Sequence, residues 1–461
     1  MLAGIATDTN WEMPFMNFAR IGLQVPTLLL PRAGTDLAKW AVIACDQYTS
    51  QPEYWTRVEA LVGDAPSTLR LILPEVYLGA EDEARRIQDI QAAMRRYLAE
   101  GVLAPQRPGL VRVERAMARG RTRRGLIAAL DLECYDFSAG AKTLIRPTEG
   151  TILERLPPRV RVREGAPLEL PHVMVLIDDP ERTVIEPLFA EPLEELYDVP
   201  LMLDGGRVRG WRVEHPMLIQ WVVERLAWLA DPAAFNTRYG VSDEPVLLYA
   251  MGDGNHSFAT AKLIWENLKR VAPDPVAVMN HPARHALVEL VNLHDEGLEF
   301  EAIHRVAFGV DAGRLLAELN KFCAARDSEL RVLDCPSWPA ARQAWTEMQQ
   351  PGRHVIAFVS GERCGVLIIE QPPLTLPVAS LQAFLDHYLE TRPSVRLDYI
   401  HGEDTLERLG AQPGNIGFYL PALAKDDFFR TIIRDGALPR KTFSMGEADE
   451  KRFYLECRRI V

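Results

Sequence analysis

The sequence lacks the features that mark membrane, secreted and repeat proteins. It has no run of about eighteen apolar residues, the length that a membrane-spanning helix requires. Residues 1–20 lack the basic start and apolar block of a secretory signal, so none is expected there. Repeats and low-complexity tracts are also missing. These absences predict an ordinary globular protein without a membrane segment.

Paired cysteines and excess positive charge are missing as well. The 6 cysteines are scattered without a Cys-x-x-Cys pair, which predicts reduced thiols and a cytoplasmic location. The formal net charge of -12 argues against a general nucleic-acid or anionic-membrane surface. A chain of 461 residues, 48% of them hydrophobic, is long enough for two domains with substantial cores.

One segment combines glycine, ionisable side chains and flanking apolar residues. Residues 245–250 have the length and composition of a buried strand, and residues 259–268 are typical of a helix. Between them lie Met251, Gly252, Asp253, Gly254, Asn255, His256 and Ser257. A helix N-terminus offers N–H groups and partial positive charge, and glycine lets a backbone approach a ligand closely. The segment predicts a site for a small anionic ligand, most simply a phosphate.

The same residues also allow a purely structural interpretation. Asp-Gly and Gly-Asn are ordinary turn dipeptides. Ser257 would then be only the helix N-cap, with His256 packed beside it. The sequence leaves both interpretations open.

A second polar segment lies at residues 146–164. Glu149 is placed between Thr148 and Gly150 in a predicted loop, where a carboxylate can act as a general base. The alternation over residues 159–163 predicts a strand with three arginines, Arg163 among them, on one face. Such a face is either an exposed edge protected by charge or a surface for an anionic ligand.

Other ionisable residues lie beside apolar runs. Loops at strand ends gather at one edge of an α/β sheet, and ligands bind in the crevice there. We therefore expect one pocket to collect Asp46, Glu149, Arg163, Asp253, His256 and His304, and we count Arg305 and Lys262 as further ligand candidates. His281, His285 and Glu289 would share one face of a helix, as zinc ligands do, but a strand over 287–293 would separate them, so no metal site is assigned.

The order of predicted elements favours an α/β fold with a mixed sheet and a smaller inserted α+β domain. Before residue 304, helices predicted at 52–61, 81–100 and 216–229 alternate with strands, among them a predicted pair at 111–116 and 125–130, and a compact α+β segment follows. We predict a main α/β domain, formed by residues 1–304 and 395–461, that carries the motifs. Residues 305–394 form the predicted smaller domain.

Several longer blocks resemble one known family. They are residues 39–50, 148–151, 157–164, 303–305, 397–402 and 438–443, together with the glycine turn. Over most of its length the chain is similar to the bacterial and archaeal domain of unknown function 1015 family, which names no activity. The usual turn of that family, Asp-Gly-His-His-Arg, is similar to the phosphate-binding turn of sulfiredoxin, ParB and free serine kinases. The resemblance implies a ParB/sulfiredoxin-like core.

This chain departs from that turn at two positions. Asn255 and Ser257 stand where the family has His and Arg, so the arginine that would clamp a phosphate in bidentate fashion is missing. Lys262, or an arginine from elsewhere, would have to supply its charge. His256 keeps the position of the second His.

Two functions remain open. The first is an enzyme for a phosphorylated ligand, most concretely a nucleotide-dependent small-molecule kinase that uses ATP and Mg²⁺. Gly252, Gly254, Asn255 and Ser257 would hold phosphate, while Asp253, His256 and Glu149 would be catalytic and Arg163 or Lys262 would offset charge. The second is a non-catalytic nucleotide- or anion-binding regulatory protein.

Overall fold

The computed structural model describes residues 18–118, 120–151, 153 and 156–461. Most of the segment in which no secretory signal is expected therefore lies outside the described residues. The described α-helices of eight or more residues are Pro52–Val62, Glu83–Ala99, Leu156–Arg163, Pro216–Leu229, Pro232–Tyr239, Asn255–Val271, Ala312–Ala324, Trp338–Glu347, Pro377–Glu390, Glu403–Gly410 and Lys425–Asp435. Among the helices described here, none is both long and apolar enough to cross a bilayer.

The larger sheet joins nine strands of mixed direction. Two neighbouring pairs are parallel and the others are antiparallel. In spatial order the strands are Glu195–Pro200, Arg207–Val213, Leu110–Ala116, Thr122–Asp131, His285–Asn292, Met174–Ile177, Tyr249–Asp253 and Ile145–Arg146, with Leu23–Gln24 paired to Thr122–Asp131 outside this path. The fold is therefore α/β with a mixed sheet, as predicted.

The smaller sheet has six strands, all antiparallel. In spatial order they are Glu329–Cys335, Arg363–Glu370, Arg353–Ser360, Asn415–Tyr419, His304–Phe308 and Arg396–Ile400. Two of these strands follow residue 394 in the chain. The smaller domain at residues 305–394 stays a prediction. The strands of the smaller sheet lie within residues 304–419.

One apolar cluster connects the two sheets. It contains Met174 and Ala250 from the larger sheet and Ile356 and Ile416 from the smaller one, each at most 1% exposed. Burying one such aliphatic side chain contributes about 1.5–3 kcal/mol. The two sheets therefore share a core.

Local sequence explains the helices that were predicted well. The helix Pro216–Leu229 begins where predicted: His215 accepts the N–H of Met217 as N-cap, and Pro216 takes the first helical position. Its buried residues are Ile219, Val222, Val223 and Leu226, at the i, i+3, i+4, i+7 spacing of one helical face.

One local prediction was wrong, and the structure decides one alternative that the sequence left open. Residues 159–163 are not a strand, because they lie in the helix Leu156–Arg163, whose start with two prolines suits a helical first turn. The three arginines therefore do not share one face. The alternative of a helix carrying His285 and Glu289 also fails, since both lie in the strand His285–Asn292. No group of three potential metal ligands occurs among the described residues.

Candidate functional site

The glycine turn joins a buried strand directly to a long helix. The strand Tyr249–Asp253 starts later than predicted and the helix Asn255–Val271 starts earlier. Gly254 is the N-cap, in the left-handed conformation with φ 80°. His256 and Ser257 thus belong to the first helical turn, and the interpretation of Ser257 as N-cap was wrong.

The first helical turn contains backbone N–H groups that precede the hydrogen-bond ladder of the helix. The earliest hydrogen bond of the ladder runs from the N–H of Phe258 to the carbonyl oxygen of Gly254, at 3.0 Å. The N–H groups of Asn255, His256 and Ser257 precede that ladder. All three residues line a polar cleft, here called the anion cleft.

Packing explains both glycines of the turn. A Cβ on Gly254 would lie 3.1 Å from the Cα of Val173, on a backbone that disfavours side chains. A Cβ on Gly252 would lie 2.9 Å from the Cε of Met445 and 3.1 Å from the Cγ of Leu176. These glycines therefore allow the turn to approach the protein's own core closely, and their contact with a ligand stays a prediction.

Asn255 ties the turn to the loop that carries Glu149. Its Oδ1 accepts the N–H of Thr148 at 3.2 Å, and its Nδ2 donates to the Thr148 hydroxyl at 3.2 Å. That hydroxyl donates in turn to the carbonyl oxygen of Met251 at 2.6 Å. Glu149 is held in the same loop and accepts the N–H of Lys441 at 3.0 Å. The asparagine thus has a definite structural task at the position where the family has a histidine.

The anion cleft has a volume of about 170 Å³. It is lined by Asp46, Glu75, Thr148, Glu149, Arg159, Gly252, Asp253, Gly254, Asn255, His256, Ser257, Phe443, Ser444, Met445 and Lys451. Four carboxylates and two cations therefore surround the amino end of the helix. The Nζ of Lys451 lies 3.3 Å from the Oδ2 of Asp253, and Arg159 pairs with Glu75. Burial raises the pKa of Glu75, although Arg159 opposes the shift.

The predicted convergence holds for four of its six residues. Asp46, Glu149, Asp253 and His256 all line the anion cleft. Arg163 does not line it, because its Nη2 pairs with the Oε2 of Glu169 at 2.5 Å beside a neighbouring cavity.

His304 lies inside the smaller sheet, away from the cleft. Its Nδ1 accepts the N–H of Leu420 at 3.2 Å, and its ring stacks on Tyr419. Burial lowers the pKa of His304 to about 4, helped by the positive charges of Arg342 and Arg305. It is therefore a neutral core histidine.

The remaining two predicted ligand residues are also engaged elsewhere. The Nε of Arg305 donates to the Oε1 of Gln382 at 2.8 Å, and burial lowers the pKa of this guanidinium to about 10. Lys262 donates to the carbonyl oxygen of Leu132 at 2.9 Å and pairs with Glu266 at 2.6 Å. Neither side chain lines the anion cleft.

Sequence reasoning missed the cations that do line it. Lys451 lies almost two hundred residues after the turn in the chain, and Arg159 was assigned to a strand face that does not exist. The charged run around Lys451 was the only local signal of its importance. Its place at the cleft depends on the tertiary path of residues 443–454, which pair with distant strands.

The fold and the cleft define an α/β protein with a polar site at a helix amino end. The chain belongs to the DUF1015 family, described as "Protein of unknown function (DUF1015)", whose profile matches residues 29–388. No curated protein matches it.

Solved structures of related fold are only distantly similar. A mutant free serine kinase in complex with AMP shares 12% identity and a TM-score of 0.38, covering 71% of this chain and 90% of that one. A conserved hypothetical protein from Pyrococcus furiosus shares 13% identity and a TM-score of 0.33, with coverages of 71% and 90%. SbnI from Staphylococcus aureus, truncated at its C-terminus, shares 10% identity and a TM-score of 0.33, with coverages of 69% and 82%. These scores are too low to carry an inference about the site.

Proposed function

We propose that the anion cleft binds the phosphate groups of a nucleotide, and that the protein is a nucleotide-dependent phosphotransferase acting on a small molecule. One observation carries the proposal. The amino end of a 17-residue helix, two cations and several carboxylates all line one cleft. Phosphoryl transfer needs this combination, because phosphate charge must be offset while an acceptor hydroxyl is oriented.

The positive side of the cleft suits phosphate oxygens. A helix N-terminus carries about half a positive charge, concentrated on the N–H groups of its first turn. Lys451 adds a full charge beside that turn, at 3.3 Å from Asp253. In this proposal Lys451 and Arg159 take the role for which Lys262 and Arg163 were candidates. A lysine acts as a point charge without the bidentate fork of an arginine.

The carboxylates of the cleft suit the acceptor and a cation. Glu149 and Asp253 are the proposed groups that orient or deprotonate an acceptor hydroxyl, and His256 lines the same cleft. Mg²⁺ is commonly held by one or two carboxylates together with substrate phosphates, and Asp46 would supply such a carboxylate. When bound, the ion would offset charge on the phosphate oxygens.

Nucleotide binding is tested first, by thermal shift of the whole chain with AMP, ADP and ATP in the presence of Mg²⁺. Catalysis is then tested by ADP release with amino acids and sugars as acceptors. We expect Asp253→Asn, His256→Ala and Glu149→Gln to abolish ADP release with little change in melting temperature. Glu244→Gln, which alters an exposed pair with Lys142, is the matched control.

The outcomes separate the candidate functions. Stabilisation by a nucleotide together with acceptor-dependent ADP release supports the phosphotransferase. Stabilisation without ADP release for any acceptor favours the regulatory nucleotide-binding protein. A chain that no nucleotide stabilises, and that releases no ADP, contradicts both.

A further inference from the structure

A serine and a histidine meet at the border of two cavities. The hydroxyl of Ser257, the third residue of its helix, lies 2.9 Å from the Nε2 of His172. The Nδ1 of the same ring lies 2.8 Å from the hydroxyl of Tyr454. Ser257 is thus within hydrogen-bond reach of a base that a third residue orients, which is the arrangement of an activated nucleophile.

The hydrogen bonds of Tyr454 allow His172 to act as a base. Tyr454 is 1% exposed, and burial raises the pKa of its hydroxyl well above the usual value, so the phenol keeps its proton. Its oxygen accepts the N–H of Cys45 at 3.2 Å and has a second lone pair for the N–H at Nδ1 of His172. In that tautomer the Nε2 carries a lone pair and accepts the Ser257 proton.

The cavity on the other side of Ser257 is mainly apolar. This cavity, here called the acyl chamber, has a volume of about 140 Å³, and Ser257, His172 and Tyr454 line it. Its apolar walls include Leu71, Leu73, Val162, Leu168, Leu170 and Leu287. Ser257 lines the anion cleft as well, so its hydroxyl sits between an apolar space and a polar one.

We propose that Ser257 is a nucleophile with His172 as its general base, and that the pair cleaves esters whose short apolar acyl group occupies the acyl chamber. The Ser257 oxygen bonds to the carbonyl carbon while its proton passes to the Nε2 of His172. The bond to the leaving alkoxide breaks, and His172 returns that proton to it. Water then cleaves the acyl-serine by the same steps. The proposal does not rest on nucleotide binding, although both activities would use the N–H groups of the first helical turn.

The backbone around Ser257 supports the same chemistry. N–H groups of the first helical turn precede the helical ladder and lie beside the attacking oxygen in the chain. Such donors stabilise the oxyanion that develops on a carbonyl oxygen during acyl transfer. The hydroxyl of Tyr454 contacts His172 and not the attacking oxygen, so its proposed part in the reaction is to position His172.

The chain contains a matched pair that should not react. His354 Nδ1 lies 3.1 Å from the hydroxyl of Ser380, the fourth residue of the helix Pro377–Glu390. Both residues are buried, and the second ring nitrogen of His354 is held by the carbonyl oxygen of Thr375 at 3.2 Å. Ser380 borders another apolar cavity that His354 does not line. Serine–histidine contact is therefore common to both pairs, while a shared chamber is specific to Ser257.

The test uses the full chain and a short-chain alkyl fluorophosphonate, which phosphonylates activated serines with release of fluoride. Intact mass and peptide mapping locate the adduct, and hydrolysis of p-nitrophenyl butyrate measures turnover. We expect one adduct, on Ser257, and ester hydrolysis that Ser257→Ala abolishes. His172→Gln should slow labelling about 100-fold or more, because general bases contribute that much. Ser380→Ala should label like the wild type.

Tyr454→Phe separates positioning from packing. The change keeps the buried ring and removes only the oxygen that orients His172. We expect labelling about tenfold slower in a variant that stays folded, with a modest fall in melting temperature because the N–H of Cys45 loses its acceptor. Three results would overturn the proposal: no adduct on Ser257 in the wild-type protein, equal labelling rates with and without His172, or hydrolysis that survives Ser257→Ala. Because the adduct is mapped on the wild-type chain, the proposal can still be refuted if a variant folds poorly.

Discussion

Replacing Glu289 by Gln should strongly destabilise the protein, because this carboxylate compensates two buried arginines. Glu289 is 1% exposed and lies in the strand His285–Asn292 at the centre of the larger sheet. Its oxygens lie 3.4 Å from the Nε of Arg123 and 2.7 Å from the Nη1 of Arg452. Arg452 also pairs with the buried Glu456 at 2.5 Å.

The magnitude follows from what the substitution leaves behind. Gln keeps the shape of the side chain but not its charge, so Arg123 would lose its carboxylate partner and Arg452 would keep that of Glu456. Removing one partner of a buried pair costs about 3–5 kcal/mol. That is a large part of the roughly 5–15 kcal/mol by which a typical protein is stable. With a denaturant dependence of at least about 3 kcal/mol per molar urea for a chain of this size, the midpoint should fall by up to about 1–1.7 M.

The assay is urea unfolding followed by far-ultraviolet circular dichroism. Glu296→Gln is the matched control, since Glu296 pairs with Arg182 at 2.8 Å but is exposed to water. Solvent and salt screen such a pair, and we expect no measurable shift of its midpoint. Equal midpoints for the two variants would refute the view that burial makes the Glu289 pair important.

The pH dependence provides an independent check. Burial raises the pKa of Glu289, but Arg123 and Arg452 outweigh that effect and the pKa is lowered overall. A carboxylate with a lowered pKa stabilises the fold above its unfolded value of about 4.3, and this contribution is lost as the pH falls through the folded pKa. The difference between wild type and Glu289→Gln should therefore narrow below about pH 4.

Three further predictions concern the site and the core. Lys451→Met should weaken nucleotide binding about tenfold in calorimetry, because a charge-assisted contact to phosphate is lost. The control Lys142→Met should bind nucleotide like the wild type. Equal affinities of the two variants would contradict the role of Lys451. In urea unfolding, Gly254→Val should lower the free energy of unfolding by about 1–3 kcal/mol more than Gly240→Val does. Both glycines have a left-handed backbone, but of the two only Gly254 has close neighbours around the added side chain. Identical losses of stability would refute this. Burial lowers the pKa of His304 to about 4, so this residue should destabilise the fold as the pH falls from about 6.5 towards 4. The variant His304→Gln should lose that part of the pH dependence of stability. An unchanged pH profile would show that His304 is not responsible.

The sequence by itself determined the fold class and much of the local structure. Hydrophobic periodicity and capping residues predicted the helices Pro52–Val62, Glu83–Ala99 and Pro216–Leu229 to within a few residues. Apolar runs predicted the strands near 111–116 and 125–130, which pair as expected. The glycine turn was also identified in advance as the amino end of a helix. These features depend on residues close together in the chain, so local propensity is enough to specify them.

Tertiary structure alone decided which charges meet at the turn. His304, Arg305 and Lys262 have partners elsewhere, while Lys451 and Arg159 line the cleft. The contacts between His172, Ser257 and Tyr454 likewise join segments that are 85 and 282 residues apart. Neighbours of this kind are set by the strand order of the larger sheet and by the core that the two sheets share. A side chain's own sequence neighbours do not specify that arrangement, because pairing between distant strands depends on the packing of the whole chain.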